Sequence, residues 1–591
     1  MDPDSAEEED RNGRGSRRKR REGDVLFGLA RKEKIKRPGK KAVVQIRFHW
    51  KRVFAALGVL ALAGWLACGT ALYFYFKERR GYEEVSFFKM LVLPLRLDEH
   101  RREMGEFFIR RGTERIEAGE FRAGFHQLRI GLARAPADPE ARILLARIFR
   151  DAYRDHRLAI KALEQGLKHA EENPSFYDHD YLHLLFFLLN ESERDVRRIE
   201  LAGELAEKVA DPALEATLHL EAARAESELG RFADAAERLR GNGLLRSPDG
   251  FLLLARVLWR SGDRRMAILG LESGLERFPR NPRMATALLE YLAAAGRWED
   301  LLGQARFRRA IQPDLAVAWT AVPPAFQNLG RESEVLPWAR KALARFPDDQ
   351  TALALLRFGV DNARPDVASL VVRESGPAVS EAAGVALLAL AHLRAEEPSE
   401  ALAVLAEAEG RDVELDAARL SGLRALAHRL RGNEQAAVPE LQAFLENETL
   451  PASVYWSLAD AFGQAGFTAD ADRILAAGIE RFPRERKLLV RLLRREKTKA
   501  GGRDFVDYAA RLVEGRVPPV PVLREIREAI VSDRYLFARG REEVVGGIDA
   551  ILEQARSPFH GVAVSPASTG FPDTTNENEW EEFLRSPSAS L

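Results

Sequence analysis

Residues 106–136 read EFFIRRGTERIEAGEFRAGFHQLRIGLARAP. Apolar side chains recur at spacings of three and four, the period of a helix with one buried face. Gly119 divides the stretch and Pro136 closes it. Glycine supplies the backbone freedom of a tight turn. Proline has no N–H to continue a helix, so it ends the second one. The same spacing of 17 residues from glycine to proline returns at Gly262/Pro279, Gly296/Pro313, Gly330/Pro347 and Gly466/Pro483. Turns of this kind fall near positions 119, 154, 190, 230, 262, 296, 330, 364, 396, 432, 466 and 501. A self-similar period of this length marks stacked supersecondary units, none of which buries its apolar face alone.

The pattern resembles the tetratricopeptide repeat (TPR), a helix-turn-helix of about 34 residues. In the quoted unit Gly112 is the small residue of helix A, Gly119 the turn, and Gly124 and Gly131 the small contacts of helix B. Corresponding small residues are Ala223, Ala255, Ala389, Ala425 and Ala459 on helix A. On helix B they are Ala235, Ala267, Gly274, Ala342, Ala401, Ala408, Ala437, Ala471 and Gly478. The resemblance covers roughly 106–515 and is weakest near 154, 190 and 364, and Pro323-Pro324 interrupts one helix A. It implies an all-α, right-handed helical-repeat solenoid whose concave face, lined by helix A, receives a protein or peptide partner.

Ahead of the repeats lies Val53–Phe76, VFAALGVLALAGWLACGTALYFYF, 24 residues without a charge. About 20 apolar residues span a bilayer core as a helix. Phe48, His49 and Trp50 at one end and Tyr73 and Tyr75 at the other resemble an aromatic belt. YFYFKERR offers no small-residue cleavage site, so the run reads as an uncleaved signal anchor. Nine basic residues lie in the 21 positions before Val53 and five in the 21 after Phe76. That bias predicts a cytoplasmic N-terminus in the inner (plasma) membrane and a periplasmic, or otherwise extracytoplasmic, repeat domain. Small residues at Ala63/Ala67 and Gly64/Cys68 are spaced for a second copy of the helix, so a homo-oligomer is one expectation.

Composition agrees with a folded, well-charged protein: of 591 residues, 46% are hydrophobic and 30% charged. The 90 basic and 90 acidic side chains cancel, which excludes a globally basic nucleic-acid binder. The cancellation is uneven. Residues 1–52 hold 17 basic and 9 acidic side chains, leaving 73 and 81 in the rest. The cluster Arg17-Arg18-Lys19-Arg20-Arg21 fits topology and anionic-lipid contact, and no nucleic-acid partner is expected. A single cysteine, Cys68, excludes a disulfide framework and thiolate zinc modules.

These features divide the chain into a disordered basic cytoplasmic segment (1–52), the transmembrane anchor (53–76) and a membrane-proximal connector (77–105). The repeats (106–515), C-terminal capping helices (516–556) and a disordered tail (557–591) follow. In that tail Trp580, Phe583 and Leu584 among glutamates form one apolar docking pattern. These parts account for the whole chain and leave no room for a catalytic domain of ordinary size. No phosphate loop is present. His179 and His183 share a helical spacing but lack a third ligand. No enzyme activity, cofactor or metal is therefore expected. In one chaperone-binding branch of the family a helix A asparagine clamps a peptide carboxylate. The aligned positions here are Thr113, Arg224, Arg256, Glu290, Pro324, Leu390, Leu426 and Asp460, so that clamp does not carry over. Two helix A strips remain as candidates for partner binding. Arg256, Trp259 and Arg260, with Arg224 beside them, form one, and Trp456, Asp460 and Gln464 the other. Tryptophan and arginine are favoured anchors, although each Trp can equally fill space between repeats.

Overall fold

The computed structural model describes residues 24–25, 29–35, 43–376, 380–411, 416–497 and 504–556. The chain divides into two compact units at Tyr181/Leu182.

The first unit opens with a three-stranded antiparallel sheet, β1 (Asp24–Val25), β2 (Ala30–Ile35) and β3 (Val43–Phe48). Ala30 pairs with Phe48 and Ile35 with Val43. This corrects the expectation of disorder for those residues. The β-branched run Val43-Val44 with Ile46 and Phe48 favours a strand, and β2 gives its backbone a hydrogen-bonding partner. The basic cluster at 17–21 and the tail from 557, with its Trp580 pattern, lie outside the described residues. Immediately after β3, Trp50–Arg79 runs as one helix, long and apolar enough to cross a membrane and almost entirely exposed. Its last five residues, Tyr75–Arg79, widen into a π-helical turn.

Two repeat pairs follow, Leu97–Glu117 with Phe121–Leu132 and Pro139–Asp151 with His156–Leu167. In the first, a Cβ at Gly112 would sit 2.7 Å from the Leu128 nitrogen, and one at Gly124 would sit 2.6 Å from the Gly112 carbonyl oxygen. The two helices approach backbone to backbone, which is why small residues stand there.

The second unit continues the alternation from Asp195–Ala206 to Phe505–Val513. Its helix B segments stop just before the spaced prolines: Arg264–Arg277 before Pro279, Trp298–Ile311 before Pro313, Glu332–Arg345 before Pro347 and Thr468–Arg481 before Pro483. Helix starts are capped by Ser247, Asp263, Asn281 and Asp348, whose side chains accept from backbone N–H groups of the first turn. The small residues named from the repeat pattern in this unit are buried, most of the alanines in one continuous core. Pro323-Pro324 has the predicted effect: that helix A is split into Val317–Thr320 and Val322–Asn328.

The turns carry the period most plainly. Left-handed backbone occurs at Gly119, Arg154, Glu193, Gly230, Gly262, Gly296, Gly330, Ala363, Glu396, Gly432 and Gly466. Each lies within three residues of a turn position read from the sequence, including four where glycine is missing, and the position near 501 lies outside the described residues.

Candidate functional site

Three consecutive A helices of the second unit end close to Asn190, Glu228 and Arg260. The candidate strip built on them is already engaged. Glu228 receives Arg256 at 2.7 Å and Arg260 at 3.0 Å. Arg260 also donates to the Val517 carbonyl oxygen, 2.8 Å, and the Val517 N–H donates to the Glu228 backbone carbonyl, 2.8 Å. Residues 515–521 thus form a strap laid across the A-helix ends. Next to Val517, Arg516 donates to Asp195 at 2.6 Å and to Asn190 at 2.7 Å. Arg486, on the helix Arg486–Glu496, joins Glu193 at 2.9 Å and the Arg516 carbonyl at 3.1 Å. The strap also passes over two turns. A Cβ at Gly230 would meet Val517 and Ile551 at 2.9 Å, and Gly262 faces Pro521.

Electrostatics follow from this packing. Burial works against the Arg260 charge and lowers its pKa; Glu228 opposes that, while Arg256, Arg486 and Arg516 add to it. Burial also works against Arg516, but its hydrogen bonds and attraction to Asp195 win and its pKa is raised. Asp195, fully buried, is shared with Arg198 at 2.7 Å. A buried carboxylate needs such partners because water no longer solvates it.

The sequence-predicted residues therefore part company. Arg256 and Arg260 converge on Glu228, Arg260 beneath the strap. Arg224 instead pairs with Glu221, which also binds Arg198, nearly two turns earlier on the same helix. Trp259 stacks on Tyr291 of the next A helix, centroids 4.2 Å apart, with Arg264 over its ring at 5.2 Å. It spans the gap between repeats.

The second strip faces the next A helix. Lys487 and Arg491 each lie 4.8 Å from the Trp456 ring centroid. Arg491 also donates to both carboxylate oxygens of Asp460, at 2.7–2.9 Å. Gln464, the last residue of that helix, is exposed. Trp456, Asp460, Lys487 and Arg491 remain partly open to solvent, so acid, base and aromatic surface stand together on one face.

Sequence reading missed three features. The strap was visible only as the odd run Pro518-Pro519-Val520-Pro521, which no local pattern ties to residues 190–262. A pair of half-buried tryptophans, Trp319 and Trp338, carries Arg309 and Lys341 over its rings. Finally, a cleft of about 1000 Å³ opens between Phe505–Val513 and the start of Arg541–Ala555, lined by Arg511, Arg534, Tyr535 and Phe537. Phe537 is 96% exposed at its rim. Among the described residues no cluster of three or more metal-type ligands occurs.

No family model and no curated protein matches this chain. Among solved structures, it is similar to Cut9 in the APC/C hetero-tetramer Cut9-Hcn1 at 13% identity and TM-score 0.23, covering 74% of this chain and 95% of that one. Yeast Tom70 aligns at 12% identity and TM-score 0.28, covering 77% and 96%. PPR10, solved with an 18-nucleotide psaJ RNA element, aligns at 15% identity and TM-score 0.42, covering 85% and 77%. The chain's own geometry identifies its architecture: paired helices in contact through small residues, joined by a periodic row of left-handed turns, make it a TPR-type helical-repeat solenoid.

Proposed function

We propose that this chain is a membrane-anchored, non-catalytic scaffold that binds protein or peptide partners at the cell envelope through its repeat array. The observation that carries the reading is the succession of one exposed helix, uncharged over Val53–Phe76, and a long array of stacked repeats. Solenoids of this kind present extended surfaces rather than a single reactive pocket. The basic bias around the anchor supports a cytoplasmic N-terminus and an extracytoplasmic array. Protease shaving of intact spheroplasts tests the orientation: the array is expected to be digested, and a protected array overturns it.

Within the array, Trp456, Asp460 and Gln464, with Lys487 and Arg491, form the binding strip we favour, because they stay partly open on one face, whereas Arg260 meets the chain's own strap, Arg256 pairs with Glu228 and Arg224 with Glu221. Proximity labelling from the C-terminus identifies the partner. The double change Lys487→Glu and Arg491→Glu should then weaken capture of that partner at least tenfold, and unchanged capture removes the strip from consideration.

Self-association is a second reading. It is favoured by the open face at Gly58 and Gly64, where an added Cβ would meet nothing within 4 Å. Disulfide trapping through the exposed Cys68 in native membranes should yield a covalent dimer if the anchors pair, and only monomer if they do not.

A further inference from the structure

The stretch between anchor and repeats folds back along the anchor. Tyr82 N–H donates to the Phe76 carbonyl at 3.0 Å. Phe87 packs on Tyr73, centroids 6.1 Å apart, and Leu91 reaches Gly69, where any Cβ would collide with it. Met90 and Leu93 point inward, onto a cluster that includes Tyr82, Leu72 and Phe76. Phe88, Val92 and Leu95 point outward, with Phe88 76% and Leu95 83% exposed. They are carried by the short α-helix Phe87–Leu91 and the 3-10 turn Leu93–Leu95, with Val92 at the junction.

That outer face carries no charge. Lys89 is tied to Glu103 at 2.6 Å and Arg96 to Glu99 at 2.5 Å, both on the helix Leu97–Glu117. Several backbone donors are paired within the segment. Met90 donates to Ser86, Val92 to Phe88, Leu95 to Val92 and Arg96 to Leu93, at 3.0–3.3 Å. Pro94 has no donor to satisfy. An apolar, uncharged outer face suits a medium that offers no hydrogen bonds.

Depth follows from the contacts. Gly69 lies seven residues before Phe76, about 10 Å along a helix. The uncharged run is about 36 Å long at 1.5 Å per residue, against a hydrocarbon core of about 30 Å. The segment therefore lies level with the last turns of the span, where apolar helix faces enter the boundary between headgroups and acyl chains.

We propose that Phe87–Leu97 is a lipid-inserted wedge, in which Phe88, Val92 and Leu95 enter the acyl region of the leaflet reached by the C-terminal end of the anchor. The wedge rests on the reading of Trp50–Arg79 as membrane-spanning. Its occupant is lipid because the segment packs on the last turns of that helix, at Gly69 and Tyr73, where the anchor's own apolar side chains Leu66 and Phe74 are likewise exposed. The wedge fixes the depth of the anchor and the point at which the first repeat leaves the membrane.

The test uses the full chain with Cys68→Ser, reconstituted in phosphatidylethanolamine/phosphatidylglycerol vesicles and spin-labelled at one new cysteine at a time. Leu60→Cys reads the anchor, Phe88→Cys and Leu95→Cys read the wedge, and Gln464→Cys reads water. The expected result is a higher oxygen-to-nickel-chelate accessibility ratio at 88 and 95 than at 464, on the same side as 60. A water-like ratio at 88 or 95 with a lipid-like ratio at 60 overturns the wedge and leaves the anchor standing. A water-like ratio at 60 overturns both. Dipolar broadening at 88 that persists on dilution in lipid shows a second copy on this face and also overturns the wedge.

Discussion

At the scale of single residues, the left-handed turns separate backbone cost from packing. Ala363 has φ 51 and Gly330 φ 73 at equivalent turns. A side chain in this region costs roughly 1 kcal/mol relative to glycine. Ala363→Gly should therefore raise the melting temperature, and Gly330→Ala, where the added Cβ meets no other atom within 4 Å, should lower it by a similar amount. Thermal unfolding of the two variants checks both signs. His219 offers a pH-dependent test. Burial and the nearby Arg238 hold its pKa below the ordinary 6.5, while Glu215 opposes them. The folded chain thus binds the proton less readily than the unfolded one. The stability this gives is present above pH 6.5 and is lost as pH falls through the folded value. The fall in melting temperature between about pH 7.5 and about pH 5.5 should be smaller in His219→Leu than in the parent. An unchanged slope would place the pH dependence on other groups. The turn glycines were legible in the sequence because glycine advertises its backbone. Arg154, Glu193, Ala363 and Glu396 adopt the same conformation without a signature, and only the period points to them.

At the scale of elements, the strap 515–521 has the most consequence. Its ties to Asp195, Asn190, Glu228 and Arg260 bridge more than 250 positions in sequence, as in the Arg260–Val517 bond, whose partners are 257 apart. Arg516→Ala removes two charge-assisted bonds to Asp195, which keeps Arg198. A loss of about 2 kcal/mol is expected. The same change should speed hydrogen exchange at the Val517 amide, which its bond to Glu228 protects. An amide that exchanges at the same rate in parent and variant would show that Arg516 does not hold the strap. Helices, caps and closing prolines could be read locally, since each depends on residues within one or two turns. The pairing of β2 with β3 could not, because strand partners are chosen by a turn geometry that charge-rich composition conceals.

At the scale of the whole molecule, a solenoid is a sum of nearest-neighbour contacts, and its end repeats are held by one neighbour only. In the second unit that rule is broken. The helices Val520–Ile530 and Arg541–Ala555 pack on each other and also reach the early repeats, through Ile551 at Gly230 and Val520 at Gly262. Contacts of such sequence separation add cooperativity, because early and late repeats must then open together. Amides of the covered turns at Gly230 and Gly262 should therefore exchange more slowly than those of the open turns at Gly296 and Gly330, and truncation after Val513 should remove the difference. Equal rates in the intact chain would mean that the strap adds no protection.

The sequence by itself determined the repeat, its turns and their spacing, the broken helix at Pro323-Pro324 and the uncharged apolar run ahead of the array. All of these rest on local rules: glycine permits a left-handed turn, proline ends a ladder, and apolar period sets the buried face. Tertiary structure alone decided which of the candidate residues stay available. Arg260 and Trp456 look alike as anchors on two A helices, yet one lies under the strap and the other shares its ring face with Lys487 and Arg491. Tertiary structure also turned Phe88 and Leu95 outward beside the apolar helix, a placement set by the contact of Leu91 with Gly69. Accessibility depends on what the rest of the chain brings to a surface, and neither composition nor periodicity records contacts between residues hundreds of positions apart.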